Sequence, residues 1–249
     1  MRKSLLVAVA FVSTAWSVAS AQVIPSGSFG AIPSGVTFGN GSNIPGPVES
    51  FVFGTNNRNT LVLGASPRYD NAAITNDNAG TYNAAAGADL TTGINNKPAY
   101  ARWNFNFYVG GQDAGGYDYR LYYDFNPGSS TPIGSHGYYQ FSGTCGASCL
   151  YTNSDSWNLG MGFLGGTPNS PAIVPPPGSF SNTAAGEYTF ALVVYDRPFE
   201  GRPSELGRVA IRVNALGSTV VPEPSTYALM AAGLAGLGLV ARRRRRSIA

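Results

Sequence analysis

From Ala101 to Phe125 the chain alternates bulky and polar residues with a period of two. Trp103, Phe105, Phe107 and Val109 alternate with Arg102, Asn104, Asn106 and Tyr108. After Gly110–Gly116, Tyr117, Tyr119, Leu121, Tyr123 and Phe125 alternate with Asp118, Arg120, Tyr122 and Asp124. A period of two places one set of side chains on each face of an extended strand, so this stretch cannot bury its aromatics as a helix. It predicts two half-buried strands around a Gly-rich turn, an aromatic hairpin whose cross-strand pairs set the register.

The rest of the body reads the same way. Val48–Phe53 and Thr60–Leu63 are short β-type runs around the turn Gly54–Asn59. Glu187–Asp196 is apolar on both parities, which suits a central strand. Arg208–Asn214 alternates cleanly and pairs with it around the loop Arg197–Gly207. Gly137–Ser142, Ser156–Leu164 and the stiff Pro175-Pro176-Pro177 connector lie between the two pairs. Ser66–Gly93 is polar and rich in Ala and Asn, without a helical apolar stripe, so loops with at most a short strand are expected. The fold class is all-β, an antiparallel β-sandwich of jelly-roll or immunoglobulin-like type, with a C-terminal single transmembrane helix. A membrane barrel is disfavoured by irregular loop lengths.

The two ends are unlike the body. Arg2 and Lys3, the apolar Leu5–Val12 and the small residues Ala19 and Ala21 before Gln22 have the form of a cleaved signal peptide, residues 1–21. Residues 22–47 form a lead-in rich in Gly, Pro and Ser, expected to run irregularly. Residues 48–216 form the sandwich domain, and 217–249 a linker with a tripartite tail. In that tail Pro222, Glu223 and Pro224 hold the backbone extended. The 17 uncharged residues from Ser225 to Ala241 would span about 25 Å as a helix. Arg242, Arg243, Arg244, Arg245 and Arg246 resist translocation and stay cytoplasmic.

This order resembles the PEP-CTERM sorting signal of Gram-negative bacteria over about the last 29 residues. The resemblance implies cleavage near the motif by an exosortase, a membrane-embedded cysteine transpeptidase-like enzyme. It further implies passage through the inner membrane as a precursor, then release to the cell surface or an exopolysaccharide-rich matrix such as a biofilm or floc. Signal peptidase and exosortase are the processing partners, with exopolysaccharide the matrix partner.

The charge balance supports an exported body. The chain has 16 basic and 13 acidic residues; without Arg2, Lys3 and Arg242–Arg246 there are 9 basic, and without Glu223 there are 12 acidic, a net charge near −3. No basic patch is left for nucleic acid.

Several residues invite chemistry. Cys145 and Cys149, the only cysteines, suit a disulfide that pins a surface loop in an oxidising compartment. Redox motifs prefer two intervening residues, and zinc needs further ligands. His136, the only histidine, reads as part of an exposed turn, with no nucleophile elbow in the chain. Asp113, Asp118, Asp124, Asp155 and Glu187 are the carboxylates from which a glycosidase pair would be drawn. No cofactor is expected; calcium at Asp70 and Asp77, with Asn71, Asn76 and Asn78 beside them, is the minority reading against Asx turns. Tyr108 and Tyr122, placed opposite the core face on adjacent strands, are candidate sugar-stacking residues, with Tyr138 and Tyr139 in reserve. The body is read as a non-enzymatic structural or interaction protein. A glycan-binding module, a secreted hydrolase and a permanently anchored periplasmic domain are the alternatives.

Overall fold

A computed structural model describes residues 26–39, 46–143, 150–197 and 203–217. Among the described residues the chain is β-structure joined by turns, and its only helical pieces are short 3-10 turns. The strands are β1 (Ser28–Gly30), β2 (Val48–Phe53), β3 (Asn59–Pro67), β4 (Thr75–Asn76), β5 (Thr81–Ala85) and β6 (Trp103–Gly111). They continue as β7 (Asp118–Tyr123), β8 (Gly137–Ser142), β9 (Tyr151–Trp157), β10 (Ile173–Val174), β11 (Gly186–Tyr195) and β12 (Glu205–Leu216). They form a five-stranded sheet, β1-β2-β3-β6-β9, and a seven-stranded sheet, β10-β8-β7-β11-β12-β5-β4. Five strands against seven is a larger partition than an immunoglobulin or jelly-roll sandwich.

The core lies between the sheets. Phe105 stacks on Phe190 with ring centroids 4.7 Å apart, and Trp103 meets Phe190 edge-on at 6.0 Å. Phe53 meets Tyr119 at 6.3 Å. Leu61, Leu63, Leu121, Leu192, Val194, Val209 and Val213 fill the space around them with no exposed surface. The apolar-on-both-faces strand is central as expected: β11 lies between β7 and β12.

Four expectations change. β6 and β7 do not form a hairpin; β6 pairs with β3 and β9, and β7 with β11 and β8. Their aromatic faces both turn into the interior, from opposite sheets, because the connection crosses from one sheet to the other. The sandwich is not wholly antiparallel, since β12 and β5 run parallel. Ser66–Gly93 supplies both β4 and β5, and β5 buries Tyr82 and Ala84. The lead-in contributes β1, which pairs with β2. The signal peptide, the sorting tail with its expected transmembrane helix, and Cys145 and Cys149 lie outside the described residues.

The crossing depends on Gly111, whose φ is 149°. A Cβ there would run into the Arg58 carbonyl oxygen and the Asn59 side chain. Gly111→Ala should therefore lower stability by about 1–3 kcal/mol, read as a reduced urea midpoint with unchanged slope.

The two outer faces differ. On the five-stranded sheet, Val62 and Asn106 point away from the core yet are fully buried. Gly30 ends β1 at one edge, while Gly39 lies against Ser154 and Asp155 of β9 at the other. Four strand spacings are about 19 Å, within reach of nine extended residues. The lead-in thus runs from one edge of this sheet to the other. On the seven-stranded sheet Gln140, Ser142, Ala210 and Arg212 point outward and are exposed.

Candidate functional site

β7 alternates strictly, sending Tyr119, Leu121 and Tyr123 into the core and Asp118, Arg120 and Tyr122 outward. Tyr138, Gln140 and Ser142 point outward from β8, and Ala191, Val193 and Tyr195 from β11. The register sets them in rows: Tyr138–Tyr122–Ala191, Gln140–Arg120–Val193 and Ser142–Asp118–Tyr195. Tyr122 and Tyr138 have ring centroids 5.8 Å apart. The Arg120 guanidinium carbon lies 4.9 Å from the Tyr138 ring centre and 5.5 Å from that of Tyr195. Arg120 Nε donates to Gln140 Oε1 at 3.1 Å, and the Tyr122 and Tyr195 hydroxyls share a hydrogen bond of 3.0 Å. Burial, and then the bond to Tyr122, push the Tyr195 hydroxyl above its ordinary pKa, so it stays neutral and able to donate. All three tyrosines are half-buried.

Two depressions flank this cluster. A hollow of about 280 Å³ is lined by Asp118, Arg120, Gln140, Tyr195 and Pro203. A groove of about 290 Å³ includes Ala191, Ala210, Thr131, His136, Thr189 and Arg208 in its lining. Small side chains at Ala191 and Ala210 leave its floor low.

The turn Ile133–Ser135 is exposed, as expected, but the side chain of His136 that follows it is not. Its side chain is 4% exposed, against Asp124 at 0%. Its Nδ1 lies 3.0 Å from the Pro132 carbonyl oxygen and its Nε2 2.7 Å from Thr189 Oγ1. Thr189 Oγ1 is 2.8 Å from Asp124 Oδ2, and Thr189 N donates to Asp124 Oδ1 at 3.2 Å. The order is carboxylate, hydroxyl, imidazole. In a hydrolase triad the imidazole stands between the other two so that it can take the hydroxyl proton. Here the imidazole's second nitrogen faces a carbonyl, so the chain ties the loop before β8 to β11 and lines one end of the groove.

The other sequence candidates are dispersed. Tyr108 belongs to the five-stranded sheet and Tyr122 to the seven-stranded one, so they are not on adjacent strands and share no surface. The partners that Tyr122 does find are Tyr138 and Tyr195. Tyr139 faces inward, stacking on Phe141 at 4.8 Å. Asp70 and Asp77 are exposed, and Asp77 Oδ1 accepts backbone N–H groups of Ala79 and Thr81 at 2.8 and 2.9 Å, an Asx-type turn. Those bonds hold the Asp77 carboxyl below its usual range. Among the acids, Asp118 pairs with Arg197 at 2.6 Å, Asp155 accepts from Trp157 Nε1 at 2.8 Å, and Glu187 accepts from Ser130 N at 3.0 Å. Sequence reasoning missed Arg120 and Tyr195 because nothing local links residues 75 positions apart; the only signal was that both lie on the outward parity of strong strands.

Residues 220–246 match the family model of the PEP-CTERM protein-sorting motif. No curated protein and no solved structure matches the chain. The motif marks an exported protein, processed by an exosortase from a membrane-anchored precursor on its way to the surface.

Proposed function

We propose that the β-structured body is a non-enzymatic interaction protein of an exopolysaccharide-rich matrix, with the outer face of the seven-stranded sheet as its glycan-binding surface. In this reading residues 1–21 are removed on export, the tail is cleaved near Pro222-Glu223-Pro224, and the body leaves the inner membrane of a Gram-negative cell. The observation that carries the binding surface is the cluster formed by Tyr138, Tyr122 and Tyr195 beside an open groove. Half-exposed rings offer an apolar face to the C–H side of a sugar while their hydroxyls bond its rim. On the opposite sheet the outward-facing Val62, Ser66, Asn104 and Asn106 are buried.

Intact mass and fractionation test the sorting half. The native product is expected outside the inner membrane without residues 1–21 and without Arg242–Arg246. A variant with alanine at Pro222, Glu223 and Pro224 should keep the arginines and remain in the membrane fraction. A native product of that second kind would make the body a permanently anchored periplasmic domain. For the binding half, Tyr138→Ala should weaken retention in polysaccharide-containing gels on the order of tenfold, since a lost aromatic stacking contact contributes about 1 kcal/mol or more. Unchanged mobility of that variant would remove the surface from consideration.

A further inference from the structure

Arg120 is unlike the other cations around this face. Arg197 is paired with Asp118 at 2.6 Å, Arg208 with Glu205, and Arg212 with Glu187 at 3.6 Å. Among the described residues no carboxylate lies within ion-pair distance of Arg120. Its guanidinium is instead held between the Tyr138 and Tyr195 rings, with Nε anchored on Gln140, at the wall of the 280 Å³ hollow. The one acid lining that hollow, Asp118, is engaged by Arg197 and by Ser142 Oγ at 2.7 Å. A guanidinium fixed by stacking loses little rotamer freedom on binding, and its remaining N–H donors match the two oxygens of a carboxylate.

Resting on the glycan-binding reading above, we propose that this site recognises an acidic polysaccharide, with Arg120 binding the carboxylate of a uronate residue while Tyr138 and Tyr195 flank the sugar. Charge complementarity selects this occupant over a neutral glycan. The body's net charge near −3 opposes non-specific binding of polyanions, so attraction must come from a local cation. Among the cations around this face, Arg120 is the one whose charge is not already offset.

The test uses the exported product purified from cells expressing the full chain. Its affinity electrophoresis is compared in gels containing polygalacturonate and in gels containing the methyl-esterified form, which has the same backbone with its carboxylates capped. Retention by polygalacturonate should be on the order of tenfold stronger, decline with added salt, and fall to the methyl-ester level in Arg120→Gln. Arg120→Lys, which keeps the charge but loses the planar sandwich, should give an intermediate value. It carries the test if the glutamine variant shows a lowered urea midpoint. Equal retention of the two forms would overturn carboxylate recognition and leave the glycan reading standing. A preference that survives in Arg120→Gln would overturn the assignment to Arg120. No retention of either form by the unaltered protein would remove both the inference and the reading beneath it.

Discussion

Replacing Asp89 with alanine is expected to lower the stability of the body by about 3–5 kcal/mol, the cost of leaving a buried charge without its partner. The Asp89 side chain has no exposed surface and that of Arg68 only 7%. Asp89 Oδ2 accepts from Arg68 Nε at 2.9 Å and from Lys97 N at 3.2 Å. Its Oδ1 accepts from Thr91 Oγ1 at 2.6 Å, Asn71 Nδ2 at 2.7 Å and Thr91 N at 3.0 Å. Arg68 is in turn stacked between Tyr69 and Tyr100, 4.7 and 4.8 Å from the two ring centres. Alanine would take the shared acceptor away from the guanidinium and from four further donors. The urea midpoint measures the loss, and a decrease below 1 kcal/mol would mean that solvent enters the network. Burial raises the Asp89 carboxyl pKa, but the bonds from Thr91, Arg68 and Asn71 outweigh it and hold the group well below the usual carboxylate range. A depressed folded value means that the unfolded chain binds the proton more readily. The contribution is therefore complete above the ordinary value near 4 and is lost as pH falls through the folded one. The alanine variant should lack that acid limb.

This network explains why Ser66–Gly93 reads poorly as sequence. Its order comes from polar groups that meet across 21 residues, and no hydrophobic period announces such a core. The parallel pairing of β5 with β12 is hidden for a similar reason, since Thr81–Ala85 has small and polar residues and only Tyr82 as a large inward side chain. By contrast, Val48–Phe53 and Gly137–Ser142 coincide with β2 and β8, because turn residues and side-chain alternation bound them on both sides. Alternation specifies which face a residue takes, not which strand lies beside it. The aromatics of β6 and β7 fit a hairpin and a sheet-to-sheet crossing equally well, and the choice rests on the strained Gly111 and on partners far along the chain. The candidate site shares this limit. The outward parity of Tyr122 is legible in the alternation of its strand, whereas nothing in the sequence separates Tyr138 from its inward-facing neighbour Tyr139. The convergence of Arg120 and Tyr195 on Tyr122 and Tyr138 required β11 to be laid against β7.

Asp124 is expected to tolerate asparagine and not alanine. Nδ1 of His136 faces only the Pro132 carbonyl, so it carries a proton. The Thr189 hydroxyl has one proton to give and two neighbours, Asp124 Oδ2 and His136 Nε2. Both contacts are hydrogen bonds only if one additional proton resides on the carboxyl or on Nε2. Burial pushes the Asp124 carboxyl up, more than the bonds from Thr189 and the neighbouring His136 lower it. The upward shift favours that proton on the acid, and in that arrangement Asp124 donates to Thr189 Oγ1 while Thr189 donates to His136 Nε2. Asparagine reproduces that arrangement, its amide donating to the hydroxyl and its carbonyl accepting from Thr189 N. Alanine leaves the Thr189 N–H without its Asp124 acceptor and the hydroxyl with His136 Nε2 alone, at a cost of about 1–3 kcal/mol. A raised folded value reverses the sign found at Asp89: the contribution is complete below the ordinary carboxylate value and is lost as pH rises through the folded one. An amide cannot titrate, so Asp124→Asn should lack the loss of stability that the native protein shows as pH rises above the ordinary carboxylate value. Urea midpoints of both variants between pH 4 and 9 decide the matter. An asparagine variant as unstable as the alanine variant would place the proton on His136 and make the chain a buried ion pair. The groove wall built on it would then be held by opposite charges rather than by a shared proton.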